Sequence, residues 1–339
     1  MVARAKQVVV IGASAGGIEA LRVIVAALPP DFAAPICVVL HSAPQSPSVL
    51  DAILTRAGRL SATNATNGER LQPGHIYVAP PDFHLVIEPG VVRVTKGPRE
   101  NRFRPAIDPL FRSAAQIYGP GAIGLILTGG LDDGTDGLWA IKQLGGTAIV
   151  QDPLEAMFPS MPQNAIDHVT VDHILPLAEI APLLVRLTSA PVEPAPPALD
   201  VPELLQVEVK IAMEHNPIDA GLERIGKPSR FACPECHGVL LELKEGMWTK
   251  FRCHTGHAYS VASLLAAIGE GIEESLWTAI RALEEGQLLM TRMAEHLQAN
   301  HDTESAEQLM DRAAEARKQS DVIRQLVMQR DPLSEASKS

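Results

Sequence analysis

Long hydrophobic runs are missing from this chain of 339 residues, so nothing in it reads as a bilayer-spanning helix. Basic charge is also short: 29 lysines and arginines stand against 40 acidic residues, a formal net charge of -11. With no polybasic stretch, that balance argues against nucleic acid or an anionic membrane surface as partner. Cysteine is scarce too, and four are too few for a disulfide scaffold. Cys37 sits in an apolar strand-like run and reads as a buried thiol, whereas Cys233, Cys236 and Cys253 cluster with histidines and read as metal ligands. The start of the chain runs directly into the apolar segment Gln7 to Ile11, too short for a secretory core and without a small-residue cleavage site. The expected location is cytoplasmic.

What the chain does have is length and alternation. It exceeds the usual size of one compact core, so more than one unit is expected. From Val8 to Leu187, short β-branched runs alternate with amphipathic stretches, the pattern of a doubly wound, mainly parallel α/β sheet. The clearest strands are Val8–Ile11, Ile36–His41, His75–Val78, Ile123–Thr128 and Thr147–Val150. Leu85–Ile87 and Val91–Val94 form an antiparallel hairpin about Glu88-Pro89-Gly90, expected at one edge of the sheet. Residues 1–188 are read as this α/β domain, 189–202 as a Pro-rich linker and 203–230 as a helix and connection. Residues 231–260 carry the cysteine cluster. Two long helices near Val261–Ala299 and Thr303–Met328 make a helical hairpin over 261–330, and 331–339 form a disordered tail.

The chemistry gathers where strands end. The first strand opens into Gly12-Ala13-Ser14-Ala15-Gly16-Gly17, a strand-to-helix turn whose small neighbours let a serine hydroxyl project. Ser14 occupies the second glycine position of the dinucleotide fingerprint, which disfavours a Rossmann cofactor site. The second strand delivers His41 at its carboxyl end, and the strand from Ile123 opens into a loop bearing Asp132, Asp133 and Asp136. Each alone has a plainer role, since aspartate before a helix most often caps it. Together, three carboxyl ends of an α/β sheet present a serine nucleophile, a histidine base and an aspartate to orient it. Backbone amides of the glycine-rich turn can hold an oxyanion. The order Ser, His, Asp is not that of α/β-hydrolases.

These segments resemble the catalytic domain of the chemotaxis protein-glutamate methylesterases, the CheB family. Ile11 to Gly17 is similar to that family's serine turn, Val39-Leu40-His41 to its histidine strand, and Leu127 to Gly134 to its aspartate loop. Further likenesses are His75 to Pro81, Arg104-Pro105 through Asp108-Pro109-Leu110-Phe111, and Gln151-Asp152-Pro153 with Met161-Pro162. The resemblance implies Ser14, His41 and Asp133 as the triad. It also implies hydrolysis of glutamate methyl esters on a methyl-accepting chemoreceptor, with glutamine deamidation in some members and no catalytic cofactor. The chain departs from the family where Gly-Met-Gly-Asn-Asp-Gly gives way to Gly129-Gly130-Leu131-Asp132-Asp133-Gly134. An N-terminal receiver domain is not expected ahead of Val8, so the usual control by phosphorylation is not expected either. A protein substrate calls for an open groove. A non-catalytic signalling adaptor and a serine esterase or amidase with an unrelated substrate are the alternatives.

Cys233-Pro234-Glu235-Cys236 is answered by Cys253-His254-Thr255-Gly256-His257, a spacing suited to tetrahedral zinc. His257 follows a Thr-Gly turn that can fold it back, whereas His254, adjacent to Cys253, points elsewhere. The expected ligands are therefore Cys233, Cys236, Cys253 and His257, in a small zinc-ribbon-like module with a structural zinc. In the long helices, Leu276, Ile280, Leu283, Leu288 and Met293 recur at helical spacing, a stripe for packing within the hairpin or for a partner or dimer contact.

Overall fold

The computed structural model describes residues 7–190, 201–245 and 248–328. Most of the expected linker and the whole of the expected C-terminal tail lie outside the described residues. In chain order the first elements are β1 (Val8–Ala13), α1 (Gly17–Ala27), β2 (Ile36–Leu40), α2 (Leu50–Ala57), β3 (Ser61–Asn64), β4 (His75–Val78), β5 (His84–Glu88) and β6 (Val91–Thr95). They continue with α3 (Ile107–Tyr118), β7 (Ala122–Ile126), α4 (Thr135–Gln143), β8 (Thr147–Gln151), α5 (Ser160–His168), β9 (His173–Leu175) and α6 (Leu177–Ser189).

Seven parallel strands form the main sheet in the order β3-β4-β2-β1-β7-β8-β9. Its central strands are apolar throughout because both faces are covered. In β1, Val8 and Val10 enter the core layer shared with Phe111 of α3 and Leu138 of α4, while Val9 and Ile11 face Leu21 of α1 and Ile180 of α6. The sheet grows from β1 toward β2 on one side and toward β7 on the other. That reversal opens a crevice at the carboxyl ends of β1 and β7. The hairpin β5–β6 forms a two-stranded sheet of its own instead of an edge of the main one. The Ile87 N–H of β5 donates to Ser113 Oγ of α3 at 2.9 Å, so the hairpin is tied to a helix.

After residue 200 come α7 (Glu203–Ala212), the short helices α8 (Pro217–Ala220) and α9 (Leu222–Ile225), and four strands: β10 (Gly226–Ala232), β11 (Val239–Glu245), β12 (Trp248–Cys253) and β13 (Ala258–Ser260). These strands form an antiparallel sheet in sequence order. The helix α10 (Val261–Ala299) and α11 (Thr303–Met328) complete the chain. Two compact units divide after Leu264. The first therefore contains the α/β layers together with α7 and the cysteine-bearing sheet, and Leu205 of α7 is buried in the same core layer as Phe111.

The second unit contains α11 and the rest of α10. Its buried positions are Gly269, Ile280 and Ala294 on α10 and Ala306, Ala313, Ala316 and Ser320 on α11. Of the expected stripe, Ile280 is buried, but Leu288 is 62% and Met293 57% exposed. Ile280 and small side chains make the seam, and Glu284 of α10 accepts hydrogen bonds from Ser320 and Arg324 of α11. Among the described residues no helix is long and apolar enough to cross a membrane.

Candidate active site and metal centre

Ser14 stands immediately after β1, its N–H bonded to the Thr128 carbonyl at 3.0 Å. Gly16 caps α1 with φ 75°, a left-handed conformation in which a side chain would be strained, and this bend turns the chain from strand to helix beneath the serine. His41 follows β2, its N–H bonded to the Ala13 carbonyl at 3.1 Å, so adjacent strands set serine and histidine side by side. Asp133 sits in the loop from β7 to α4. Thr128 anchors that loop: its N–H donates to Gln151 Oε1, and its hydroxyl bonds the Ala15 carbonyl.

The three side chains form one hydrogen-bonded chain. His41 Nδ1 lies 3.1 Å from Ser14 Oγ, and His41 Nε2 lies 2.7 Å from Asp133 Oδ2. Burial alone would raise the Asp133 carboxyl, but hydrogen bonds from His41, the Ile107 N–H and Asn101 outweigh it and bring it to about 2. An ionised Asp133 only accepts, so Nε2 carries the imidazole hydrogen and Nδ1 is left to accept the serine proton. Of the other two aspartates, Asp136 pairs with Arg112 and Lys250, while Asp132 accepts from Ser260 Oγ at 2.8 Å. Neither contacts His41.

Two residues without a sequence-level role complete the site. Phe103 stacks on His41, with ring centroids 3.7 Å apart and 6° between planes. Asn101, which is buried, donates from Nδ2 to Asp133 Oδ1 and to Asp108 Oδ2, each at 2.9 Å. Burial first, then the charges of Asp133 and Asp136, hold Asp108 well above the ordinary carboxyl range. The segment of family likeness from Arg104 to Phe111 lies just beyond these two residues, but no periodicity marks a polar turn that works by its side-chain bonds. A groove of about 350 Å³ opens beside Ser14 and His41, lined by Phe103 and by Arg99, Arg102 and Arg104.

The second cluster lies on the β10–β13 sheet. The ligand atoms of Cys233, Cys236, Cys253 and His257 all fall within 4.8 Å of one another. Cys236 and Cys253 sulfurs are 3.6 Å apart, and His257 Nδ1 is 3.6 Å from Cys253 Sγ and 3.7 Å from Cys233 Sγ. Zinc–sulfur bonds of about 2.3 Å at tetrahedral angles place donors roughly 3.8 Å apart, so the residues fit that ion. His257 Nε2 meets Glu235 at 3.3 Å, a placement that suits an outer carboxylate orienting the imidazole should it hold a metal. His254 lies outside the cluster, its ring packed against Gly238 so closely that a Cβ there would come within 2.6 Å.

Comparison with known proteins reaches the first of these sites. The family model for CheB methylesterase matches residues 9–184. A putative protein-glutamate methylesterase/protein-glutamine glutaminase of Leptospira interrogans is 42% identical over 182 residues, which cover 53% of this chain and 94% of that protein. A protein-glutamate methylesterase/protein-glutamine glutaminase of Anaeromyxobacter dehalogenans is also 42% identical over 182 residues, 54% of this chain and 53% of the relative. The crystal structure of the Thermotoga maritima CheB methylesterase catalytic domain superposes with TM-score 0.52 at 38% identity, covering 53% of this chain and 98% of that one. With the family model matching just over half of its length, this chain belongs to the CheB methylesterase family.

Proposed function

We propose that the chain is a protein-glutamate methylesterase in which Ser14 is the nucleophile, His41 the general acid and base, and Asp133 the group that orients His41. The observation that carries this reading is the unbroken chain from Ser14 Oγ through His41 to Asp133, at 3.1 and 2.7 Å. Ser14 Oγ attacks the ester carbonyl carbon as its proton passes to His41 Nδ1. The carbon–methoxy bond breaks, His41 returns the proton to the leaving oxygen, and methanol departs. Water, deprotonated by His41, then cleaves the glutamyl-serine ester and leaves glutamate. Backbone amides of the glycine-rich turn between Ser14 and the start of α1 at Gly17 suit the negative carbonyl oxygen of each addition step.

The same steps serve a glutamine side chain with ammonia leaving, and neither version needs a cofactor. The groove beside Ser14 suits a polypeptide substrate, and its basic lining, in which Arg104 is already paired with Asp82, favours one that carries glutamates. Such a substrate is the cytoplasmic region of a methyl-accepting chemoreceptor or a related receptor. A substrate in that compartment would place the enzyme in the cytoplasm. Zinc on Cys233, Cys236, Cys253 and His257 would be structural, because four protein ligands leave no position for a reacting water. The test is methanol release from a methylated receptor fragment. Release by the natural protein, lost in Ser14→Ala and in His41→Ala, is expected; equal release from all three proteins overturns the assignment.

A further inference from the structure

Asn101 faces two ways. Its Nδ2 holds Asp133 and Asp108, whereas its Oδ1 accepts from the Ser260 N–H at 2.9 Å and from the Ser263 hydroxyl at 3.0 Å. Every hydrogen-bonding position of the amide is thereby used, and the two kinds of partner fix which end is oxygen. The backbone repeats the connection: the Asn101 N–H donates to the Ala258 carbonyl at 2.8 Å, and the Ala258 N–H to the Arg99 carbonyl at 3.1 Å. Strand β13 thus extends onto the turn from Glu100 to Phe103.

That turn is not self-sufficient. Asn101 and Arg102 have φ of 49° and 76°, left-handed values that non-glycine residues adopt only where surroundings enforce them. Glu100 and Phe103 close it by exchanging backbone hydrogen bonds, and Glu100 is fixed by Arg112 on one carboxylate oxygen and Arg252 on the other. Phe103, at its far end, is the ring stacked on His41. Ala258 directly follows His257, and the Cys253 N–H bonds the His257 carbonyl at 3.0 Å, so the loop closed by two metal ligands is the loop that aims β13 at the turn.

We propose that Asn101 is a positioning residue for Asp133 and that the Cys3His module, by presenting β13 to the Asn101 turn, acts as a built-in activator of the hydrolase. This rests on the triad assignment and on metal binding proposed above. With the metal lost, β13 loosens first. Asn101 then loses its fixed acceptor side, Asp133 loses a donor, and Phe103 leaves the face of His41. The triad would remain in sequence but lose its alignment.

Full-length protein tests this in two arms. In Cys236→Ser, metal content by mass spectrometry should fall and hydrogen exchange at the Asn101 amide should quicken. Its kcat for methanol release should drop on the order of 10²-fold, the cost of about 1 Å of misplacement. In Ser263→Ala, which leaves the ligands untouched, kcat should fall severalfold with KM unchanged, and Ser263→Thr, which restores the hydroxyl, should recover it. A well-folded Cys236→Ser protein without metal that keeps both kcat and Asn101 protection overturns the proposal. So does a Ser263→Ala protein with unaltered kcat, and this arm decides if Cys236→Ser does not fold. Natural protein that releases no methanol counts against the triad assignment instead, while the exchange comparison still decides whether metal holds the turn.

Discussion

Three aspartates within five residues follow β7, and the environment gives each a different task. Asp133 is ionised by its donors, Asp136 is paired with cations, and Asp132 is pushed up to about 6. For Asp132 the main cause is burial; the Ser260 hydrogen bond opposes it and the neighbouring Asp133 charge adds to it. Sequence spacing places all three in the same loop, and only the family resemblance singles out Asp133. The sign of the Asp132 effect follows from linkage. Its folded-state value lies above its unfolded value of about 3.9, so the folded protein holds the proton more tightly. The stabilisation is fully present below pH ~4 and is lost as pH rises through about 6. Asp132→Asn keeps an acceptor for Ser260 but cannot ionise. Denaturant unfolding of both proteins at pH 4 and pH 7 should show the variant gaining on the natural protein at the higher pH. A difference of the same size at both values would remove burial as the cause.

At the scale of elements, the legible strands were those buried on both faces, because such strands must be continuously apolar. Val8–Ile11 and Ile36–Leu40 announce themselves that way. The edge strands β3 and β9 do not: Ser61-Ala62-Thr63-Asn64 contains one apolar residue, and its place is set by pairing with β4. The turns between elements were legible where glycine marks them, yet their tolerances were not. Gly129, after β7, is held by hydrogen bonds in which its N–H donates to the Phe158 carbonyl and its carbonyl accepts from the Met161 N–H. A Cβ on Gly129 would come within 2.8 Å of Ser14 Cβ and 2.6 Å of Met161 Cε. The methionine can yield, but Ser14 sits on a fixed strand end and would be displaced from His41. Gly129→Ala should therefore lower kcat on the order of 10²-fold. Its circular dichroism and metal content should remain those of the natural protein. Unchanged kcat would mean that the serine turn is more compliant than its packing implies.

At the scale of the whole molecule, the first compact unit holds the α/β layers together with α7 and the β10–β13 sheet. Arg112, Lys250 and Arg252 meet Glu100, Asp136 and Glu208 in one enclosed network drawn from α3, the Glu100 turn, α4, α7 and β12. Three cations and three anions balance, yet the residues are separated by up to 152 positions, so no local pattern reveals the network. Glu208 lies at its centre, bonded to Lys250 and Arg252 and close to Arg112 at 3.5 Å, with its side chain 1% exposed. Removing it leaves buried cations short of a partner, a loss of about 3–5 kcal/mol. If α7 and the Cys3His module were only tethered to the α/β layers, that cost would be confined to them. Because the network includes Arg112 of α3, whose helix packs against β1, Glu208→Ala should weaken both parts together. Native-state hydrogen exchange reads this directly: the slowest amides of β1 and of β12 should lose protection by the same free energy. Loss in β12 with β1 unaffected would show that the two parts fold independently, and would leave the activator role of the Cys3His module without its structural basis.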